Sequence, residues 1–418
     1  MSKQESVRIE NYRSIIPMML SQKEIIKWNE QGHLRDIQLT IDAELQTELN
    51  RRAALFVQEM KRLRKTSDRT RVSIVAMDAA DGALLASSMF PLPDEALLKQ
   101  LALTNTNTYR DWLQGFKAYI NMDPALVPLA PGSTFKLLSA GAGLKRFSTA
   151  FADESYAAMV YLDEIVDISL GEPTGRVSLM RAITGSSNVA FIKWINSYGE
   201  NGLYPELADL CYAVGAGFGN ATPYVLFPDQ VITSEESYKT QMVDFGKASV
   251  KKFEEYEASG VRHRLIDAEY QPCWGQGQVT MTPLALCRYV AAIANDGRMM
   301  YPRFLASDST YVYKQLFPAE EAQVLQSCMK SQAAGRFGEI SEYIGGKTGT
   351  PSRADRAKAS GKSNDAVYCY FIDSQGTKSD HPIAVVIRLE LVNDYSRLAI
   401  KMANEVVIPV LREKGYIR

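Results

Sequence analysis

Ser133, Thr134, Phe135 and Lys136 follow Pro131 and Gly132 and lead into the apolar pair Leu137 and Leu138. A serine and a lysine three residues apart lie on one face of a helix, so the amine can reach the hydroxyl. Proline suits the first turn of a helix, and glycine ahead of the serine lets another backbone come close. Such a pair can do nucleophilic chemistry: the serine attacks an acyl carbon while an uncharged lysine accepts its proton. Burial, a second cation or the positive end of a helix dipole would each disfavour the ammonium. Ser-x-x-Lys also occurs at Ser249 to Lys252 and at Ser327 to Lys330. Both copies lack the Pro-Gly lead, so it is the setting, not the spacing, that singles out Ser133.

Two more motifs lie downstream. Lys347-Thr348-Gly349-Thr350 follows Gly345-Gly346 and the stretch Ile340 to Ile344, and predicts a strand with a bare edge beside a ligand. Gly349 would remove a side chain where an incoming peptide pairs with that edge, and Thr350 would offer its N–H to a developing oxyanion. Lys347 is the second cation if it faces the same cleft. A Gly-rich turn carrying an exposed lysine would look the same in isolation. Ser186-Ser187-Asn188 follows Thr184-Gly185 and runs into Val189, Phe191, Ile192 and Ile195, the pattern of a helix start. Serine and asparagine there also serve as plain caps. In this order the three motifs imply a serine acyltransferase whose proton handling relies on lysine.

Histidine chemistry is not indicated. His33, His263 and His381 lie in a polar arm, a basic loop and a pre-strand turn, and no Gly-x-Ser-x-Gly elbow is present. The helical zinc motif, the phosphate-cradling loop and the dinucleotide fingerprint are also missing, so no metal and no cofactor are expected.

The elements that must position these residues follow from periodicity. Residues 1–35 read as a polar arm and 36–418 as one domain. Asp42 should cap a helix with apolar positions Leu45, Leu49, Ala53, Phe56 and Met60. Val72 to Met77 and Ala83 to Ser88 predict a hairpin across Asp81-Gly82, and strands resume near Ile340 to Thr350, Ala366 to Ile372 and Ile383 to Leu391. A final helix, Arg397 to Glu413, would return Ile400, Ala403, Val407 and Leu411 to the sheet. The fold class is therefore α+β: a five-stranded antiparallel sheet flanked by helices. A mostly helical subdomain at about 94–271 would carry Ser133 and Ser186, with the cleft at the junction. The segment Asn220 to His263 reads as charged and irregular, and Arg353 to Lys362 as a polar insertion that could gate the cleft.

At 418 residues, 46% hydrophobic and 23% charged, the chain can bury a large core. A net charge of −1 leaves no footprint for nucleic acid. The basic run Lys61 to Lys65 reads as a solvated helix end. Five cysteines are scattered without a Cys-x-x-Cys pair, which favours buried free thiols, with a single bridge as the alternative in an oxidising compartment. Ile15 to Leu20, the longest apolar stretch near the start, falls far short of the ~20 residues of a membrane span. No signal-peptide pattern is seen, so the chain as given is expected to be soluble.

Ser133-Thr134-Phe135-Lys136, Ser186-Ser187-Asn188 and Lys347-Thr348-Gly349-Thr350 resemble the three active-site motifs of the penicillin-binding protein transpeptidases, a superfamily that includes the serine β-lactamases. The likeness extends to Leu39 to Asp42, to the hairpin, to Gly217-Phe218-Gly219, and to Trp274 to Gln278 with Thr280, Thr282, Pro283 and Leu284. It covers about residues 36–418.

The resemblance implies that Ser133 attacks a D-Ala-D-Ala peptide, that Lys136 takes its proton, and that Ser186 passes a proton to the leaving group. Asn188 would hold the substrate amide and Lys136. The N–H groups of Ser133 and Thr350 would form the oxyanion hole, and Lys347 with the Thr348 and Thr350 hydroxyls would meet the substrate carboxylate. Implied partners are peptidoglycan stem peptides, β-lactam antibiotics and other cell-wall synthesis proteins, on the extracytoplasmic side of the membrane. An anchored protein supplied here in truncated form is the expectation. A serine β-lactamase and a non-catalytic β-lactam sensor or scaffold are the alternatives. No Glu-x-x-Leu-Asn that would activate water is found at a suitable place after Asn188.

Overall fold

The structure, a computed structural model, describes residues 38–92, 123–152, 177–259, 269–352 and 364–418. Helix α1, Ala43–Arg62, starts where Asp42 accepts the N–H groups of Glu44 and Leu45 at 2.8 and 3.1 Å. Leu45, Leu49, Ala53, Phe56 and Met60 are all buried, as their spacing requires. Strands β1, Arg71–Asp78, and β2, Leu84–Phe90, form the hairpin, each slightly longer than the sequence pattern suggests.

A 3-10 turn, Gly132–Phe135, runs directly into α2, Lys136–Phe147. Then come α3, Leu179–Thr184, α4, Asn188–Asn196, and α5, Tyr204–Val214, which ends at a left-handed Gly215. The short strand β3, Gly217–Phe218, precedes α6, Glu235–Ser259. Residues 220–234 are irregular as expected, whereas over Glu235–Ser259 this 25-residue helix corrects the irregular segment expected for Asn220 to His263. Its buried stripe is Tyr238, Met242, Gly246, Ser249, Val250 and Phe253, and two of those positions are too small or polar to register as apolar periodicity. Gly246 is small because the Tyr204 ring lies 2.4 Å from where a Cβ would stand.

Strand β4, Val279–Thr280, pairs with β3, and Thr282 caps α7, Pro283–Ala294. Every residue from Pro283 to Ile293 is buried, so α7 runs through the middle of the molecule. Strands β5, Arg298–Met300, and β6, Val312–Gln315, make a second small pair ahead of α8, Ala319–Ala333. A 3-10 helix, Gly338–Tyr343, comes next, so the strand expected from Ile340 begins only at Ile344. Three long strands follow: β7, Ile344–Gly349, β8, Asn364–Ile372, and β9, Ile383–Val392.

The main sheet has the order β2-β1-β9-β8-β7, antiparallel throughout, which leaves β7 at an edge. Its strands are apolar on both faces because both are covered. Val75, Cys369, Phe371, Ala384 and Val386 join the core that includes α2 and α7. Ile74, Tyr368, Tyr370, Val385 and Ile387 point the other way, toward α1 and the C-terminal helices.

The C-terminal helix is not uniform. Helices α9, Arg397–Met402, and α10, Ile408–Glu413, are joined by a π turn, Ala403–Val407. Pro409 lacks an N–H and its ring would collide with the carbonyl four residues earlier, and the wider turn absorbs both defects. The slip leaves Ile400 only half-buried while Val406 and Val410 turn inward beside Ala403, Val407 and Leu411. No helix among the described residues is long and apolar enough to cross a membrane. The polar arm at 1–35, His33, His263 and the Arg353 to Lys362 insertion lie outside the described residues.

Candidate active site

Three segments that are remote in sequence meet at the junction of the sheet and the helices. The Lys136 Nζ lies 2.8 Å from Ser133 Oγ, so the three-residue spacing does what helical geometry predicts. The serine sits in the 3-10 turn and the lysine is the first residue of α2. As the second residue of that turn, Ser133 has a backbone N–H with no acceptor inside the helix. Lys136 is fully buried and also donates to the Ser186 carbonyl at 2.8 Å and to Asn188 Oδ1 at 2.6 Å, with Ser186 Oγ at 3.2 Å.

Ser186 owes its position to a break between two helices. Helix α3 is capped at Gly185, Ser186 takes a left-handed φ of +58°, and the Ser187 hydroxyl, accepting the Ala190 N–H, starts α4. A left-handed conformation at a non-glycine costs about 1–2 kcal/mol. Here it turns both the carbonyl and the hydroxyl of one residue toward Lys136. The Ser186-Ser187-Asn188 pattern predicts a helix start, and α4 begins there. The cap is Ser187, and Ser186 lies free of the helix because of the preceding turn.

Lys347 approaches from β7. Its Nζ donates to Ser186 Oγ at 3.0 Å and to the Thr348 carbonyl at 3.1 Å. Complete burial pushes its pKa down to about 8, with Arg336 adding to the depression and Cys369 opposing it. The Ser186 hydroxyl is thus shared between two lysines. The Thr348 hydroxyl accepts Gln332 Nε2 at 3.2 Å and the Thr350 hydroxyl accepts the Ser396 N–H at 3.1 Å, so each keeps its hydrogen to donate outward. Gln332 and Ser396 have no motif of their own, and no sequence signal could have assigned them here.

Glycines let these segments touch. Gly132 has φ +61°, and a Cβ there would lie 2.9 Å from the Pro351 nitrogen, just past Thr350. Gly349 also belongs to this contact. A Cβ on it would stand 2.8 Å from the Pro131 carbonyl oxygen and 3.1 Å from Thr134 Cγ2. The nucleophile turn therefore fills the space where a side chain on Gly349 would stand, so this glycine also sets how closely β7 approaches Ser133. The Gln271–Trp274 turn braces the other side: the Gly132 N–H donates to the Gly275 carbonyl at 2.8 Å, and Ser139 Oγ to the Cys273 carbonyl at 2.7 Å.

The other two Ser-x-x-Lys copies do not build a site. Ser249 donates to Asn196 Oδ1 and accepts from the Tyr204 hydroxyl, while Lys252 pairs with Glu269. Lys330 pairs with Asp373. His381 lies against Asp78, with Nδ1 2.9 Å from Oδ2, at the far end of β1. All five cysteines are buried and free, and burial raises each thiol above its ordinary range.

Comparison with known proteins bears on this geometry. The family model of the penicillin binding protein transpeptidase domain matches residues 72–412, most of the chain and the segments that hold Ser133, Lys136, Ser186, Asn188 and Lys347. The chain belongs to that family. The chain is 26% identical over 244 residues to the peptidoglycan D,D-transpeptidase PbpA of Mycolicibacterium smegmatis, a match over 57% of this chain. It spans only 43% of that relative's length. PBPA from Mycobacterium tuberculosis superposes with a TM-score of 0.60 at 21% identity, covering 90% of this chain and 81% of that one. Its penicillin G acyl-enzyme complex gives a TM-score of 0.60 at 21% identity, over 90% and 80% of the two chains. At that identity the likeness establishes the α+β fold with its five-stranded antiparallel sheet.

Proposed function

We propose that this chain is a peptidoglycan D,D-transpeptidase that works through a serine acyl-enzyme and is a target of β-lactams. The observation that carries the reading is the convergence of Lys136 on Ser133, Ser186 and Asn188, with Lys347 on the same Ser186 hydroxyl. Two of the Lys136 contacts, the Ser186 carbonyl and Asn188 Oδ1, can only accept. An uncharged amine spends its two hydrogens on them and has its lone pair left for the Ser133 hydroxyl. Ser133 Oγ then bonds to the carbonyl carbon of a D-Ala-D-Ala peptide as its proton passes to Lys136.

The developing oxyanion is met by the backbone N–H groups of Ser133 and Thr350. Collapse breaks the peptide C–N bond, and Ser186, lying between the lysines, relays the proton to the departing D-alanine. Charged Lys347 with the Thr348 and Thr350 hydroxyls binds the terminal carboxylate, and Gly349 lets that strand close on Ser133. An amine of a neighbouring stem peptide then takes the acyl group, completing a cross-link. The extracytoplasmic face of the membrane is where such a substrate lies, and other cell-wall synthesis proteins are the expected company.

Intact-mass spectrometry after exposure to penicillin tests this. A long-lived adduct on Ser133, lost in Ser133→Ala, supports the transpeptidase. Rapid release of hydrolysed penicillin would indicate a β-lactamase, and no adduct would indicate a binding scaffold.

A further inference from the structure

Arg388 on β9 and Asp365 on β8 form an ion pair that is 3% and 0% exposed, with Nε 3.1 Å from Oδ2 and Nη2 on the same oxygen. Desolvation offsets most of what such a buried pair contributes, so apolar residues would hold the sheet about as well. Its placement explains it better. Arg388 Nη2 also donates to the Ala130 carbonyl at 3.1 Å, one residue ahead of the Pro131-Gly132-Ser133 turn. The Asp365 backbone N–H donates to the Pro351 carbonyl at 3.0 Å, one residue past Thr350. One pair therefore holds both segments that carry the oxyanion donors.

The local backbone is shaped for this. The β8–β9 register slips between Asn364 and Ala366, where Glu390 and Leu391 of β9 form a bulge opposite the single residue Asp365, a feature that bends the strand beside an active site. Opposite it Leu391 adopts a left-handed φ of +57°, and its N–H reaches Asp365 Oδ1 at 3.0 Å. Both carboxylate oxygens are thereby fixed, one by Arg388 and one by the Leu391 backbone. Across the gap, the absent Cβ of Gly132 keeps Pro351 in contact with the nucleophile turn.

We propose that Asp365 and Arg388 are positioning residues that set the separation of the Ser133 and Thr350 N–H groups and so the rate of acylation. This rests on the transpeptidase reading above. The test is the double variant Arg388→Met with Asp365→Val, whose apolar pair keeps the sheet filled, together with Arg388→Lys, which retains the charge but cannot fork between Asp365 and Ala130. Stopped-flow acylation by benzylpenicillin separates the noncovalent dissociation constant from the acylation step. An error of 1 Å in placing a reacting group costs about 100-fold, so the acylation step should slow by about that factor in the double variant. Noncovalent binding should barely change. Affinity for a phenylboronate, whose tetrahedral adduct loads the oxyanion hole, should fall in parallel.

Acylation at the wild-type rate in the folded double variant or in Arg388→Lys overturns the proposal. So does a loss shared equally by binding and acylation. Absence of an adduct on the unaltered chain would instead sink the functional reading, and this inference with it.

Discussion

Lys347 offers a prediction in which stability and function respond to one titration with opposite sign. Burial lowers its pKa from the ordinary 10.5 to about 8. Below about pH 8 the amine is charged in both folded and unfolded chains, and the fold carries the full cost of burying that charge. Above it the folded chain releases the proton while the unfolded chain keeps it until about 10.5, so stability rises with pH through that window. Integrating between about pH 7 and about pH 9.5 gives a gain of about 2 kcal/mol from this one group.

Lys347→Met keeps the volume and removes the charge. It also loses the bonds to Ser186 and the Thr348 carbonyl, but that loss enters as an offset. Urea unfolding of both proteins at intervals across this range should show wild type gaining about 2 kcal/mol on the variant as pH rises. Groups common to both chains cancel in the difference. Benzylpenicillin acylation of wild type should meanwhile decline above about pH 8, tenfold per pH unit once Lys347 is neutral, because the carboxylate loses its cation. Parallel stability curves would refute the burial argument, and acylation that stays flat to about pH 9.5 would refute the role given to the charge.

Replacing Lys136 by Ala should slow acylation by about 10²–10⁴-fold, the worth of a positioned base, as read by the rate of labelled-penicillin incorporation. Gly349→Ala should destabilise the protein by about 1–3 kcal/mol in thermal or urea unfolding, since its methyl must displace the Pro131 carbonyl or Thr134. Native protein should resist a thiol reagent, with all five cysteines reacting only after denaturation, because each is buried with a raised pKa.

The local features of this protein were legible in its sequence because they depend on neighbours along the chain. The Asp42 cap, the apolar stripe of α1 and the Ser133–Lys136 contact follow from the helical period and capping chemistry, and the five strands from short apolar runs bounded by turn residues. Helix α6 escaped because Gly246 and Ser249 occupy its buried face, where a tyrosine ring and a hydrogen bond replace apolar bulk. The π turn before Pro409 escaped because proline marks a defect without saying how the chain repairs it. What the tertiary structure alone decided is how the Ser133 pair is completed. A left-handed Ser186 and a buried Lys347 arrive from 50 or more residues away, a meeting that depends on close packing of Gly132, Gly275 and Gly349. Sequence spacing constrains residues within a turn of one another, whereas contacts across the sheet are set by volume and burial summed over the whole chain.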